Sequence, residues 1–135
     1  ETTIVALHLV AKHLPSQGPE LQQVIASAEL EALLKHMRRL LPHLRSSRML
    51  SRLAWTLGKL DLRSRDVDAV VAHICSAAPA ALHRFSPQDL TNTLWGLARL
   101  QPAGGHEGVC SIVGVSRLSL LLVRACAQRA EELTA

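Results

Sequence analysis

Two stretches of this chain match one another at an offset of forty residues, Ser46–Leu60 and Ser86–Leu100. They read SSRMLSRLAWTLGKL and SPQDLTNTLWGLARL. The alignment sets the two tryptophans of the chain, Trp55 and Trp95, against each other. It also pairs Ser46 with Ser86, Leu50 with Leu90, Leu57 with Leu97 and Leu60 with Leu100. Lys59 falls opposite Arg99, and Ser51 opposite Thr91. Self-similarity at a period of roughly 20–50 residues marks solenoids, because each unit carries an apolar face that it cannot bury alone.

Both copies have the period of a helix. At about 100° per residue, Leu90, Leu94 and Leu97 share one face, and Leu50, Ala54 and Leu57 share the equivalent one. On the opposite side lie Gln88, Asn92 and Arg99 in the second copy, and Arg48, Arg52 and Lys59 in the first. A cationic stripe suits phosphates, and an Asn/Gln pair offers amides to a base edge. The plainer reading of either stripe is the solvated face of an amphipathic helix. Trp55 and Trp95 flank the stripes and are read as anchors packed between adjacent helices, in preference to base-stacking platforms.

Phe85–Leu100, FSPQDLTNTLWGLARL, resembles the signature helix of the octotricopeptide repeats, degenerate units of about 38–40 residues found in organellar RNA-binding proteins. Ser46–Leu60 is a degraded version, with Arg48, Met49 and Arg52 where the second copy has Gln88, Asp89 and Asn92. The resemblance implies an all-α fold, a right-handed α-solenoid of helix-pair repeats. It implies a worn repeat over 1–45, one over 46–85, and one over 86–135 with an insertion at about 101–116. By the same resemblance the protein binds RNA without catalysis, in a mitochondrion (preferred) or a chloroplast. Its role there is clamping or stabilising RNA, ribosomal RNA included, or RNA maturation and translation. Arg48, Arg52, Lys59, Gln88, Asn92 and Arg99 are then the RNA contacts.

Along the chain, Thr2–Leu14 reads as a helix ended by Pro15, and its AKHL ending echoes the GKL and ARL of the signature helices. Glu20–Leu41 is helical with a break near Ser27, and Pro42 ends it. Ser46 is the expected cap of the first signature helix. Asp66–Ala78 is its partner helix, interrupted by Pro79. Ser86, Pro87 and Asp89 make a strong helix start. Gln101–Val115 is expected to be a surface insertion, and Arg117–Leu133 the last helix. A start at Glu1, and a final helix that stops where another signature helix would begin, suggest part of a longer protein.

Composition narrows the alternatives. The net charge is +4, mostly from arginine, and there is no tyrosine and one phenylalanine. That suits aliphatic helix packing and argues against sheet platforms that stack bases on several aromatics. Cys75, Cys110 and Cys126 form no C-x-x-C pair and read as reduced thiols. The histidines and cysteines lack the spacing of a structural zinc site. The Gly104–Gly108 run follows no strand, so it is no phosphate cradle. No nucleophile motif is present, and no apolar run approaches the ~20 residues of a membrane span. An RNA-binding array without metal, cofactor, membrane or catalysis is the expectation. A protein-binding scaffold within a larger complex is the alternative. A plain helical bundle would regain ground if the two signature helices did not run parallel.

Overall fold

The computed structural model describes residues 2–15, 17–62, 64–100 and 109–134. It is all-helical, with no strand among the described residues. The α-helices are α1 Thr2–His13, α2 Pro19–Ile25, α3 Ala28–Leu40, α4 Ser47–Leu60, α5 Arg65–Ala81, α6 Pro87–Leu100 and α7 Val109–Thr134. Short 3-10 turns at Leu41–His43 and Leu82–Arg84 extend α3 and α5.

Several helix boundaries have a local cause. Ser27 breaks the α2–α3 segment because its hydroxyl donates to the Val24 carbonyl (2.7 Å) and accepts from the Leu30 amide (3.2 Å). One side chain thus closes one helix and caps the next. At α6, the Asp89 amide donates to Ser86 Oγ and the Ser86 amide to Asp89 Oδ2, each at 3.0 Å, a reciprocal capping box. Ser46 was expected to cap α4, but its side chain makes no such bond. Met49 stands where Asp89 completes the box, so the reciprocal carboxylate bond is missing here, and the Ser46 carbonyl accepts from the Leu50 amide at 2.9 Å. Asp61 ends α4 in the left-handed region (φ 49°), with its amide bonded to the Gly58 carbonyl.

Two expected boundaries move. α5 runs through Pro79 to Ala81 instead of stopping at Ala78. Pro79 lies on the exposed side, where the carbonyl that loses its amide partner can face water. α7 begins at Val109, inside the expected insertion, eight residues before Arg117; residues 101–108 of that insertion lie outside the described residues. Val115 continues the buried face of Leu118 and Leu122, and lengthening a formed helix costs far less than nucleating one.

The helices lie in two rows. α4 packs between α1 and α6, and α5 between α3 and α7. Within the first row all three helices run the same way. Ser47 Oγ donates to the Arg84 carbonyl just before α6 begins, and Ser51 Oγ to the Asp89 carbonyl in its first turn (3.1 Å). Trp55 meets Trp95 further along, and Gly58 meets Arg99 near both C-termini. The two signature helices are therefore parallel neighbours.

Between the rows sits an aliphatic core whose fully buried members include Leu7, Met37, Leu50, Leu57, Ile74, Leu90 and Leu118. Phe85 joins them, and Arg129 of α7 donates to the Phe85 and Leu82 carbonyls beside it. The six residues assigned to the core faces of α4 and α6 are buried except Leu94, which is half-buried. Its counterpart Ala54 sits in the middle helix of the row, whereas α6 has a row neighbour on one side among the described residues.

α4 and α6 approach backbone to backbone. A Cβ on Gly96 would stand 2.2 Å from the Ala54 carbonyl oxygen, and one on Gly58 2.7 Å from Gly96 Cα. Only glycine at this crossing permits that distance. The buried hydroxyls of Ser51, Thr56 and Thr93 lie in the same row, and each has a hydrogen-bonding neighbour.

Candidate functional site

The close approach of α1, α4 and α6 brings their aromatic and cationic side chains into one ladder. His8 and Trp55 have ring centroids 5.1 Å apart at 52°, and Trp55 and Trp95 have centroids 6.2 Å apart at 30°. Lys59 Nζ lies 5.3 Å from the Trp55 ring centroid, and Arg99 Cζ 5.3 Å from that of Trp95. Each cation follows its tryptophan by four residues, one helical turn, which places it over the ring. Each also reaches back to the preceding helix of the row. Lys59 Nζ donates to the Lys12 carbonyl (3.4 Å), and Arg99 Nε to the Gly58 carbonyl (3.0 Å). The aligned pair Lys59/Arg99 thus performs one task twice, tying a helix to the C-terminal turn of the helix before it.

The six residues singled out from sequence are not brought together equally. Lys59 and Arg99 both border the tryptophan pair. Arg52 is half-buried near His8, and Arg48, one turn earlier, is exposed. Arg48 and Arg52 make no ion pair or side-chain hydrogen bond to a described residue. Gln88 is exposed and Asn92 half-buried, and their amides likewise bond no other described residue.

Two members of the ladder were missed as site residues. His8, one of the histidines without zinc-site spacing, packs on Trp55 with Nδ1 3.4 Å from Thr56 Oγ1. Lys12 supplies the carbonyl held by Lys59. The signal was present in AKHL, which sets Lys12 in register with Lys59 and hence His8 in register with Trp55.

The tryptophans do pack between helices, but Trp95 is no core anchor, being 42% exposed. Trp55 is half-buried beneath it. Burial depresses the His8 pKa below its ordinary value, and the charges of Arg52, Lys12 and Lys59 push it further down. At neutral pH the imidazole is uncharged, which suits a ring packed on indole among cations.

Charge is unevenly divided between the rows. α1, α4 and α6 hold five Lys and Arg residues, Lys12, Arg48, Arg52, Lys59 and Arg99, against the single carboxylate Asp89. Asp89 is already engaged in its capping box. The other row mixes both signs, with Glu29, Glu31, Asp66, Asp68, Glu131 and Glu132 among its arginines. Lys35 pairs there with Glu31 (2.8 Å), and Arg38 with Asp66 (3.3 Å).

Other chemistry finds little footing among the described residues. No group of three or more His, Cys, Asp or Glu is placed to hold a metal. Burial pushes the Cys75 thiol up to about 11, which leaves almost no thiolate at neutral pH. No helix is long and apolar enough to cross a membrane. Comparison with protein-family models, with curated proteins and with solved structures finds no match.

Proposed function

We propose that this chain is an RNA-binding segment of a right-handed α-solenoid, built from helix-pair units like the octotricopeptide repeats and without catalytic activity. The observation that supports it best is the charge of the α1–α4–α6 row, five cations against one occupied carboxylate on three parallel helices. Such a face draws a phosphate backbone by releasing its counterions. Arg48 and Arg52 supply cations, and Gln88 and Asn92 supply amides on the next helix, with no side-chain partner among the described residues. In this reading the protein clamps or stabilises organellar RNA, ribosomal RNA included, or serves RNA maturation or translation, in the mitochondrion by preference or in the chloroplast.

The decisive measurement is RNA affinity across a salt titration, for the wild type and for Arg48→Ala/Arg52→Ala. Lys59 stays intact in this variant because it also ties α4 to α1. The wild type is expected to weaken as salt rises. The variant should bind more weakly with a slope shallower by about 1.4, as the loss of two phosphate contacts on a single strand requires. An unchanged slope would remove these arginines from the interface.

The protein-scaffold reading draws on a different observation, the exposed Leu120 and Val123 on α7, in the opposite row. Absence of RNA binding at low salt would favour it.

A further inference from the structure

We propose that Trp95 is a stacking platform that takes the base of one unpaired RNA nucleotide and extends the His8–Trp55–Trp95 ladder by one ring. This rests on the RNA-binding reading and narrows it to a residue and a ligand feature. Burial of a full indole is among the largest apolar gains available to a fold, yet Trp95 is left 42% exposed. Its covered side is defined. Trp55 lies on the α4 side of the ring, and Arg99 turns towards the same side to reach the Gly58 carbonyl. The other side has no row neighbour among the described residues.

What surrounds the ring selects the occupant. On the helix surface the neighbours of Trp95 are Thr91, Asn92, Ala98 and Arg99, a rim with one methyl and three polar groups. Among the described residues an apolar helix of a protein partner would find a single ring there and no other exposed large apolar side chain on α6. A nucleobase needs only the ring, since any base has a π-face to stack. Asn92, one turn before Trp95, has an amide that bonds no other described residue and could meet the base edge, and the cations of α4 lie on the neighbouring helix for the phosphates. A base within a duplex is stacked on both faces, so the ligand must present an unpaired one, in a single strand or a loop.

The test uses the two tryptophans separately. Trp55→Phe leaves Trp95 as the sole tryptophan, and its fluorescence is followed during titration at low salt. The ligands are single-stranded RNA of about 12 nucleotides, within the span such surfaces cover, and a blunt duplex of the same length. Single strands should quench Trp95 and duplex should not. Trp95→Ala should weaken single-strand binding about tenfold or more with the salt slope unchanged, and Trp95→Phe should restore most of it. The thermal midpoint of each variant reports whether it folds. Equal affinity for wild type and Trp95→Ala, or equal quenching by duplex, overturns the platform while leaving the cationic interface standing. No binding by the wild type to either RNA at low salt overturns both.

Discussion

The structure turns on two residues that have no side chain. Alanine is the better helix former than glycine by about 1 kcal/mol, so Gly96→Ala on an open helix would stabilise. Here the added methyl would sit 2.2 Å from the Ala54 carbonyl oxygen, a backbone atom that cannot swing aside. α4 and α6 would have to separate, unstacking the tryptophans and stretching the Arg99 bond to Gly58. Overpacking of this kind typically costs ~1–3 kcal/mol, which outweighs the gain in propensity. Urea unfolding of Gly96→Ala should show a lower midpoint at an unchanged slope. A midpoint equal to or above the wild type would mean that the two helices do not touch through their backbones. The glycines were visible in the sequence but their pairing was not. The alignment sets Gly58 against Ala98 and Gly96 against Thr56, so neither copy announces a shared crossing.

At the scale of elements, the α1–α4 seam carries a pH dependence whose sign follows from His8. Its pKa in the folded chain is below the ordinary 6.5, chiefly through burial and then through Arg52, Lys12 and Lys59. Above that ordinary value the imidazole is neutral whether the chain is folded or not, and its contribution to stability is fully present. As pH falls below it, the unfolded chain takes up a proton that the folded chain resists, and the contribution is lost. The thermal midpoint of the wild type should therefore fall between about pH 7 and pH 5, and that of His8→Gln should fall less. Coincident pH profiles would show that His8 titrates normally in the fold. The elements themselves were largely legible, since Ser27, Ser86–Asp89 and the apolar periodicity are local signals. α5 and α7 each extend beyond their local sequence signals at one end. A proline on an exposed face and a β-branched, glycine-containing start are weak local stops, and tertiary packing overrode them.

For the whole molecule, the division of charge between rows makes the proposed RNA face distinguishable from mere basicity. A generally basic surface would respond alike to any charge reversal at the same net change. An RNA face on the α1–α4–α6 row would not. Arg52→Glu should reduce RNA affinity by tenfold or more, whereas Arg124→Glu on α7 should change it by about twofold, at matched and moderate salt. Equal losses for the two variants would show a diffuse attraction and no defined face.

From the sequence alone came most of the helices, the break near Ser27, the helix start at Ser86–Asp89, the forty-residue correspondence and the cationic stripe of α4. All are set by neighbours within a turn or two, or by direct comparison of two segments. The tertiary structure alone decided which side chains meet. It placed His8 on Trp55, gave Lys59 and Arg99 their carbonyls on the helix before, brought Gly58 against Gly96 and left Trp95 open. Helical periodicity assigns a residue to a face, but the distance and register between two helices depend on how closely their backbones can approach. That approach is settled by packing across the seam, which no single helix encodes.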